Sequence, residues 1–266
     1  MEHIWKQIDT YAKQWIKQAG TLIKQSFSKE LLIQAKSNPN DLVTNMDREV
    51  ERFLVGKIRE TFPSHHIIGE EGFGEDLESK EGVIWVIDPI DGTMNFVHQQ
   101  RNFAISIGVF ENGIGRIGLI YDVMHDELYH AFKGHGAFMN DIELPKLEPV
   151  QVKEAVIGLN STWVTPNKRI DKEVLTPLVR DVRGTRSYGS AAIEMAYVAA
   201  GRLDAYITMR LSPWDFAGGK VIVEEVGGTT TTLDGAPLDI LTKSSVLIAN
   251  PILHSEILNN YVKRDQ

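Results

Sequence analysis

Val83–His98 constrains this chain more than any other stretch. It reads Val-Ile-Trp-Val-Ile-Asp-Pro-Ile-Asp-Gly-Thr-Met-Asn-Phe-Val-His. Val83–Ile87 is a short apolar run rich in β-branched residues, as in a buried strand. Pro89 has no N–H and a fixed φ, so the strand is expected to stop at Asp88. Gly92 permits a tight turn, and Thr93–His98 is expected to begin a helix. Two carboxylates and a hydroxyl are thus expected where a strand gives way to a helix. Free N–H groups at such a helix start attract anions. Taken alone, Asp88 and Asp91 are equally readable as turn or cap residues.

Three further stretches bear on that choice. They are Asp-Leu-Val-Thr-Asn-Met-Asp at Asp41–Asp47, Gly-Glu-Glu-Gly at Gly69–Gly72 and Trp-Asp-Phe-Ala-Gly at Trp214–Gly218. Together with Asp-Pro-Ile-Asp-Gly-Thr, and in this order, they resemble the inositol monophosphatase family of magnesium-dependent, lithium-sensitive phosphatases. The resemblance runs from about Lys36 to about Gly228.

Composition sets outer bounds. A chain of 266 residues suits one large domain or two smaller ones. The 42% hydrophobic and 24% charged content is that of an ordinary globular protein. A net charge of −8 argues against a nucleic-acid-binding surface. The absence of cysteine excludes disulfides, thiolate–zinc sites and a cysteine nucleophile. It fits a reducing cytoplasm, the expected location. Lys6, Lys13 and Lys17 interrupt the N-terminal segment, so no signal peptide is expected. No stretch approaches the length of a membrane span.

Along the chain, Ile4, Ile8, Tyr11, Ala12, Trp15, Ile16 and Ala19 recur at helical spacing, with Gly20 as the expected stop. Thr44 with Asp47 three residues on reads as a helix start. Phe103, Ile105, Ile107 and Val109 alternate as in a half-buried strand, and Asn112-Gly113 is a hairpin signal. Leu144–Pro149 is the expected boundary between an N-terminal α+β half, 1–146, and a C-terminal α/β half, 147–266. The resemblance implies a mixed α/β fold layered α-β-α-β-α, of the sugar and inositol phosphatase type. Most metal ligands would then lie in the first half, with Asp215 and substrate contacts in the second.

The resemblance also implies a site. Glu70, Asp88 and the Ile90 carbonyl would hold one metal, and Asp88, Asp91 and Asp215 a second. A third, weaker ion would use Glu70 and water, with Lys36 in the loop nearby. Oxygen-only ligands favour Mg²⁺, with Mn²⁺ as a substitute. Glu71 is expected outside the direct ligand set. Asp47 and Thr93 would form the activating pair, although Asp47 also reads as a plain helix-start residue beside Thr44. Gly92 and Thr93 would hold phosphate through their N–H groups. Gly189, Ser190 and Ala191 would meet substrate hydroxyls, as would Asp91 and Asp215. Animal members carry Glu seven residues before the Trp-Asp aspartate; here that position is Thr208, with Arg210 close by to meet a second anionic group.

The implied activity is hydrolysis of inositol monophosphate or a related small phosphorylated metabolite, by a homodimer. NADP phosphatase or fructose-1,6-bisphosphatase activity on the same metal core, or a non-catalytic binding role, are the alternatives. Asp88 and Asp91 stand three apart, which does not match the Asp-x-Asp-x-Thr of the haloacid dehalogenases.

Overall fold

The computed structural model describes residues 2–28, 32–35 and 42–263. Lys36, expected near the site, lies outside them. Helix α1 (Glu2–Ser26) is followed by the paired strands β1 (Ile33–Ala35) and β2 (Leu42–Thr44), and by α2 (Asn45–Thr61). Next come β3 (His66–Gly69), β4 (Val83–Asp91), α3 (Thr93–Gln99), β5 (Ala104–Glu111), β6 (Ile114–Asp122), β7 (Glu127–Phe132), β8 (Ala137–Met139) and β9 (Ile142–Glu143). The remainder is β10 (Val156–Leu159), α4 (Lys172–Asp181), β11 (Gly184–Arg186), α5 (Ala191–Ala199), β12 (Ala205–Leu211), α6 (Pro213–Glu225), β13 (Thr229–Thr231), β14 (Ser244–Ala249) and α7 (Pro251–Ile257). No described helix is long and apolar enough to cross a membrane.

Strands β3 to β9 form a seven-stranded sheet in chain order, in which only β3 and β4 run parallel. The second sheet has five strands in the order β11-β10-β12-β14-β13. Helices α1 and α2 cover one face of the first sheet, with Ile8, Ile16, Val50 and Leu54 packed on Trp85 and Ile107. Helices α5 and α6 fill the space between the sheets, where one apolar cluster takes Ile84 and Ile120 from one side and Tyr206 and Ile248 from the other. Helices α4 and α7 close the far face through Leu175, Leu178 and Leu253. The layers are therefore α-β-α-β-α.

Three local expectations change. Helix α1 does not stop at Gly20; it continues to Ser26, and Gly20 is buried where any added Cβ would strike the Tyr121 ring. Strand β5 is buried on both faces rather than half-buried, because helices lie on each side of its sheet. Strand β4 does not end at Asp88 but runs through Pro89 to Asp91. The Asn112-Gly113 turn forms as expected, with both residues at positive φ. Helix α6 lies unusually close to the first sheet: a Cβ on Gly118 would fall 2.3 Å from the Gly218 carbonyl oxygen. That close approach brings the start of α6, and Asp215 with it, toward the end of β4.

Candidate active site

The end of β4 explains how two aspartates come to face one way. Asp88 pairs with Ser106 of β5 and Asp91 with Ala104, so three steps on one strand match two on the other. The extra residue is a β-bulge. In an unbroken strand, residues three apart point to opposite faces. The bulge restores the phase and turns both carboxylates to the same side. Pro89 lies within the bulge, where its missing N–H leaves no ladder bond unmade. The Ile90 N–H donates to Asp88 Oδ1 at 3.0 Å. Gly92 then turns the chain at φ +91° into α3.

Two more acids come from helix starts. Thr44 caps α2, and Asp47 Oδ2 accepts from the Thr44 N–H at 2.8 Å and the Thr44 hydroxyl at 2.6 Å. Asp47 Oδ1 faces the other way, 3.2 Å from Thr93 Oγ1. The two readings of Asp47 are thus both realised, one on each oxygen. Thr93 Oγ1 is also 3.1 Å from the Ile90 carbonyl, and its single proton serves one acceptor at a time. Helix α6 begins in the same manner: Ser212 caps it, Pro213 follows, and Asp215 Oδ2 accepts from the Ser212 N–H at 2.8 Å.

Asp88, Asp91 and Asp215 each bring a carboxylate oxygen within 4.8 Å of the others. Asp88 is 1% exposed, and the Glu70 carboxyl hydrogen-bonds to it. Burial, followed by the charges of Glu70, Asp91 and Asp215, pushes the Asp88 carboxyl well above the usual range. Asp215 is pushed the same way by burial and then by Asp91 and Glu70. Burial raises Asp47 to about 6 against the opposing pull of its Thr44 bonds. It raises Asp91 to about 6 against the Ser190 hydroxyl and the Ala192 N–H. Two carboxylates about 4 Å apart repel by roughly 4 kcal/mol at an effective dielectric of 20. Such a cluster holds its charge only with cations among its oxygens. Four carboxylates and the nearby Ile90 carbonyl, with no thiolate or imidazole, fit a hard divalent cation such as Mg²⁺.

The other expected residues fall into two groups. Ser190 caps α5, and its hydroxyl donates to Asp91 Oδ2, which also accepts from the Ala192 N–H at 2.7 Å. Gly189 precedes it at φ +76°, close against Gly92, and Ala191 opens α5 with its methyl in the core. Thr208 is 6% exposed on β12 and hydrogen-bonds the Tyr206 phenol. Arg210 is exposed and lines a separate cavity with Lys168 and Lys243. Glu71 faces Asp47 closely enough to raise it, and its N–H donates to Glu51.

Three supporting residues escaped the reading of the sequence. Glu51 is fully buried and accepts from the Glu71 N–H at 2.7 Å and the Phe73 N–H at 2.9 Å, fixing the loop that carries Glu70. Its signal was available: an acid four residues after Asp47, on the buried face of α2. Asn95 Nδ2 donates to the Asn102 and Tyr188 carbonyls at 2.8 and 2.7 Å, joining α3 to the 188–190 loop. Glu194 is 3% exposed, and its Oε1 accepts from the Tyr188 N–H at 2.6 Å and the Gly189 N–H at 3.3 Å. Nothing local in the sequence marks Asn95 or Glu194.

Comparison with known proteins bears on the family and the fold. The model of the inositol monophosphatase family matches residues 4–266. Inositol-1-monophosphatase of Bacillus subtilis is 62% identical over 258 residues, 97% of each chain. The crystal structure of SaIMPase-II bound to inositol monophosphate superposes with a TM-score of 0.87 at 45% identity, covering 96% of this chain and 93% of the other. An IMPase/NADP phosphatase complexed with Mg²⁺ and phosphate superposes at 0.88 with 29% identity, covering 96% and 95%. The chain is therefore a phosphoric monoester hydrolase, and it belongs to the inositol monophosphatase family.

Proposed function

We propose that this chain hydrolyses inositol monophosphate, using the convergence of Asp88, Asp91 and Asp215 with Glu70 to hold two to three Mg²⁺ ions. The carrying observation is that convergence, 4.8 Å or less between oxygens drawn from β4 and α6. Glu70, Asp88 and the Ile90 carbonyl would hold one ion, Asp88, Asp91 and Asp215 another, with Mn²⁺ as a substitute. When bound, the ions supply charge neutralisation for phosphate and a water of lowered pKa.

The chain's own groups then have defined tasks. Asp47 Oδ1 takes the proton of Thr93 Oγ1, leaving that oxygen to accept one from the attacking water. The Thr44 bonds to Oδ2 keep Asp47 aimed. The N–H groups of Gly92 and Thr93 hold phosphate oxygens. Ser190 and the Ala192 N–H fix Asp91, so that one of its oxygens cannot swing away. Gly189, Ser190 and Ala191 border the substrate ring. Thr208 stands where animal members place a Glu, so a ring hydroxyl meets a weaker acceptor.

The B. subtilis relative's name and the inositol-monophosphate complex of SaIMPase-II support this substrate class. NADP is the second reading, supported by the likeness to the IMPase/NADP phosphatase. The proposal extends to lithium sensitivity, to a homodimer in the cytoplasm, and to a half 1–146 that carries most metal ligands with a half 147–266 that contributes Asp215 and substrate contacts. Phosphate release from inositol 1-phosphate, 2′-AMP, NADP and fructose 1,6-bisphosphate, each with Mg²⁺ and with EDTA, tests it. Fastest release from inositol 1-phosphate, lost in EDTA, is expected. Release that survives EDTA would overturn the metal role; preference for NADP would overturn the substrate.

A further inference from the structure

We infer that a second site, on the far side of the second sheet from the carboxylates, binds a nucleotide. A cavity of about 730 Å³ opens between the 168–170 segment, the end of β12 and the start of β14. It is lined by Lys168, Arg169, Arg210, Lys243 and Lys263, with Asp234 the one acid in its lining. About one residue in ten of this acidic chain is Lys or Arg, against five of the thirteen that line the cavity.

These cations stand apart from those held in ion pairs. Lys6, Lys13, Lys17, Lys80, Arg116 and Arg202 each sit within 4.0 Å of a carboxylate. Among the described residues, none of the five around the cavity does. Ser244, in the same wall, has its hydroxyl shielded from solvent and without a partner among the described residues. Lys263 acts on Asp234 closely enough to help lower it, and five cations against that one acid around one hollow call for an anion of several charges.

The floor narrows the class. Ile170, Met209, Leu233 and Val262 give the cavity an apolar base beneath its charged rim. A lone orthophosphate would leave that base empty, and the volume is that of a small-molecule site. A nucleotide fills both parts, its base on the apolar floor and its phosphates among the guanidinium and ammonium groups. The site is separate from the catalytic one. Met209 belongs to the cluster under α4 and α7, whereas Asp215 heads α6 on the opposite face of β12.

Calorimetric titration of ADP into the Mg²⁺-loaded enzyme, with saturating inorganic phosphate to fill the catalytic site, tests this. ADP should still bind. The Arg169→Gln/Lys243→Gln double variant should weaken it by about tenfold and leave kcat for the monoester unchanged. Pyrophosphate, which lacks the base, should bind about fivefold more weakly than ADP. Loss of ADP binding on adding phosphate, or undiminished affinity in the double variant, would overturn the site. Equal affinity for pyrophosphate would overturn the nucleotide.

Discussion

The acids of the catalytic site are held in two ways. Asp47 and Asp215 stand at the third position of helices α2 and α6, each with one oxygen tied to its own cap, Thr44 or Ser212. Asp88 and Asp91 hang from a bulged strand end, and their facing depends on the register of β4 against β5. The difference teaches that a helix-start acid is held by the cap of its own helix, whereas a strand-end acid depends on strand register and, for Asp91, on Ser190 and the Ala192 N–H from a distant helix start to offset its desolvation. Asp88, 1% exposed, is pushed well above the usual carboxylate range by burial and then by the charges of Glu70, Asp91 and Asp215.

Substitutions can break this contrast. Asp88→Asn is expected to lower kcat by about a thousandfold or more, as loss of a shared ligand should, while the melting temperature in EDTA holds or rises because a repelling charge is gone. A full-rate variant would remove Asp88 from the reaction. Asp215→Ala is expected to lose comparable activity and, unlike Asp88→Asn, roughly 1 kcal/mol of stability through its broken capping box. Denaturant titration of the two variants side by side reads the difference, and equal stability would erase the distinction drawn above.

Smaller effects sharpen it. Glu194→Ala frees the 188–189 N–H groups, so Ser190 loses its hold on Asp91; about a tenfold fall in kcat/KM is expected. Glu194→Gln keeps an acceptor oxygen and should recover most of that loss; failure to recover would mean the carboxyl acts in another way. Metal removal gives the last test. Asp47 and Asp91 are raised from 3.8 to about 6 in the metal-free fold. Their contribution to stability is complete below about pH 4 and disappears as pH rises through about 6. Metal-free protein should thus lose on the order of 1–3 kcal/mol between pH 5 and 7.5. Saturating Mg²⁺ should cancel that fall. A melting temperature with the same pH profile in Mg²⁺ and EDTA would contradict it.

Legibility followed the same division. Thr44-x-x-Asp47 and Ser212-x-x-Asp215 are capping boxes written in four consecutive residues, and the Asn112-Gly113 hairpin is written in two. Pro89 misled, because its missing N–H reads locally as a strand end and only the partner strand accommodates it as a bulge. Gly20 misled for a related reason: its role is the closeness of Tyr121, a residue a hundred positions away. Glu194 and Asn95 act through loops that are distant in the chain, so no spacing could point to them.

The sequence by itself determined the inventory: which helices begin where, which carboxylates exist, and the family they mark. Those are matters of local hydrogen bonding and periodicity, settled within a few residues. The tertiary structure decided that Asp88 and Asp91 face the same way, that Asp215 reaches them from 124 residues beyond Asp91, and that β5 is covered on both sides. Each of these needs two distant segments packed in one register, and packing between distant segments is fixed by the whole core rather than by any stretch of it.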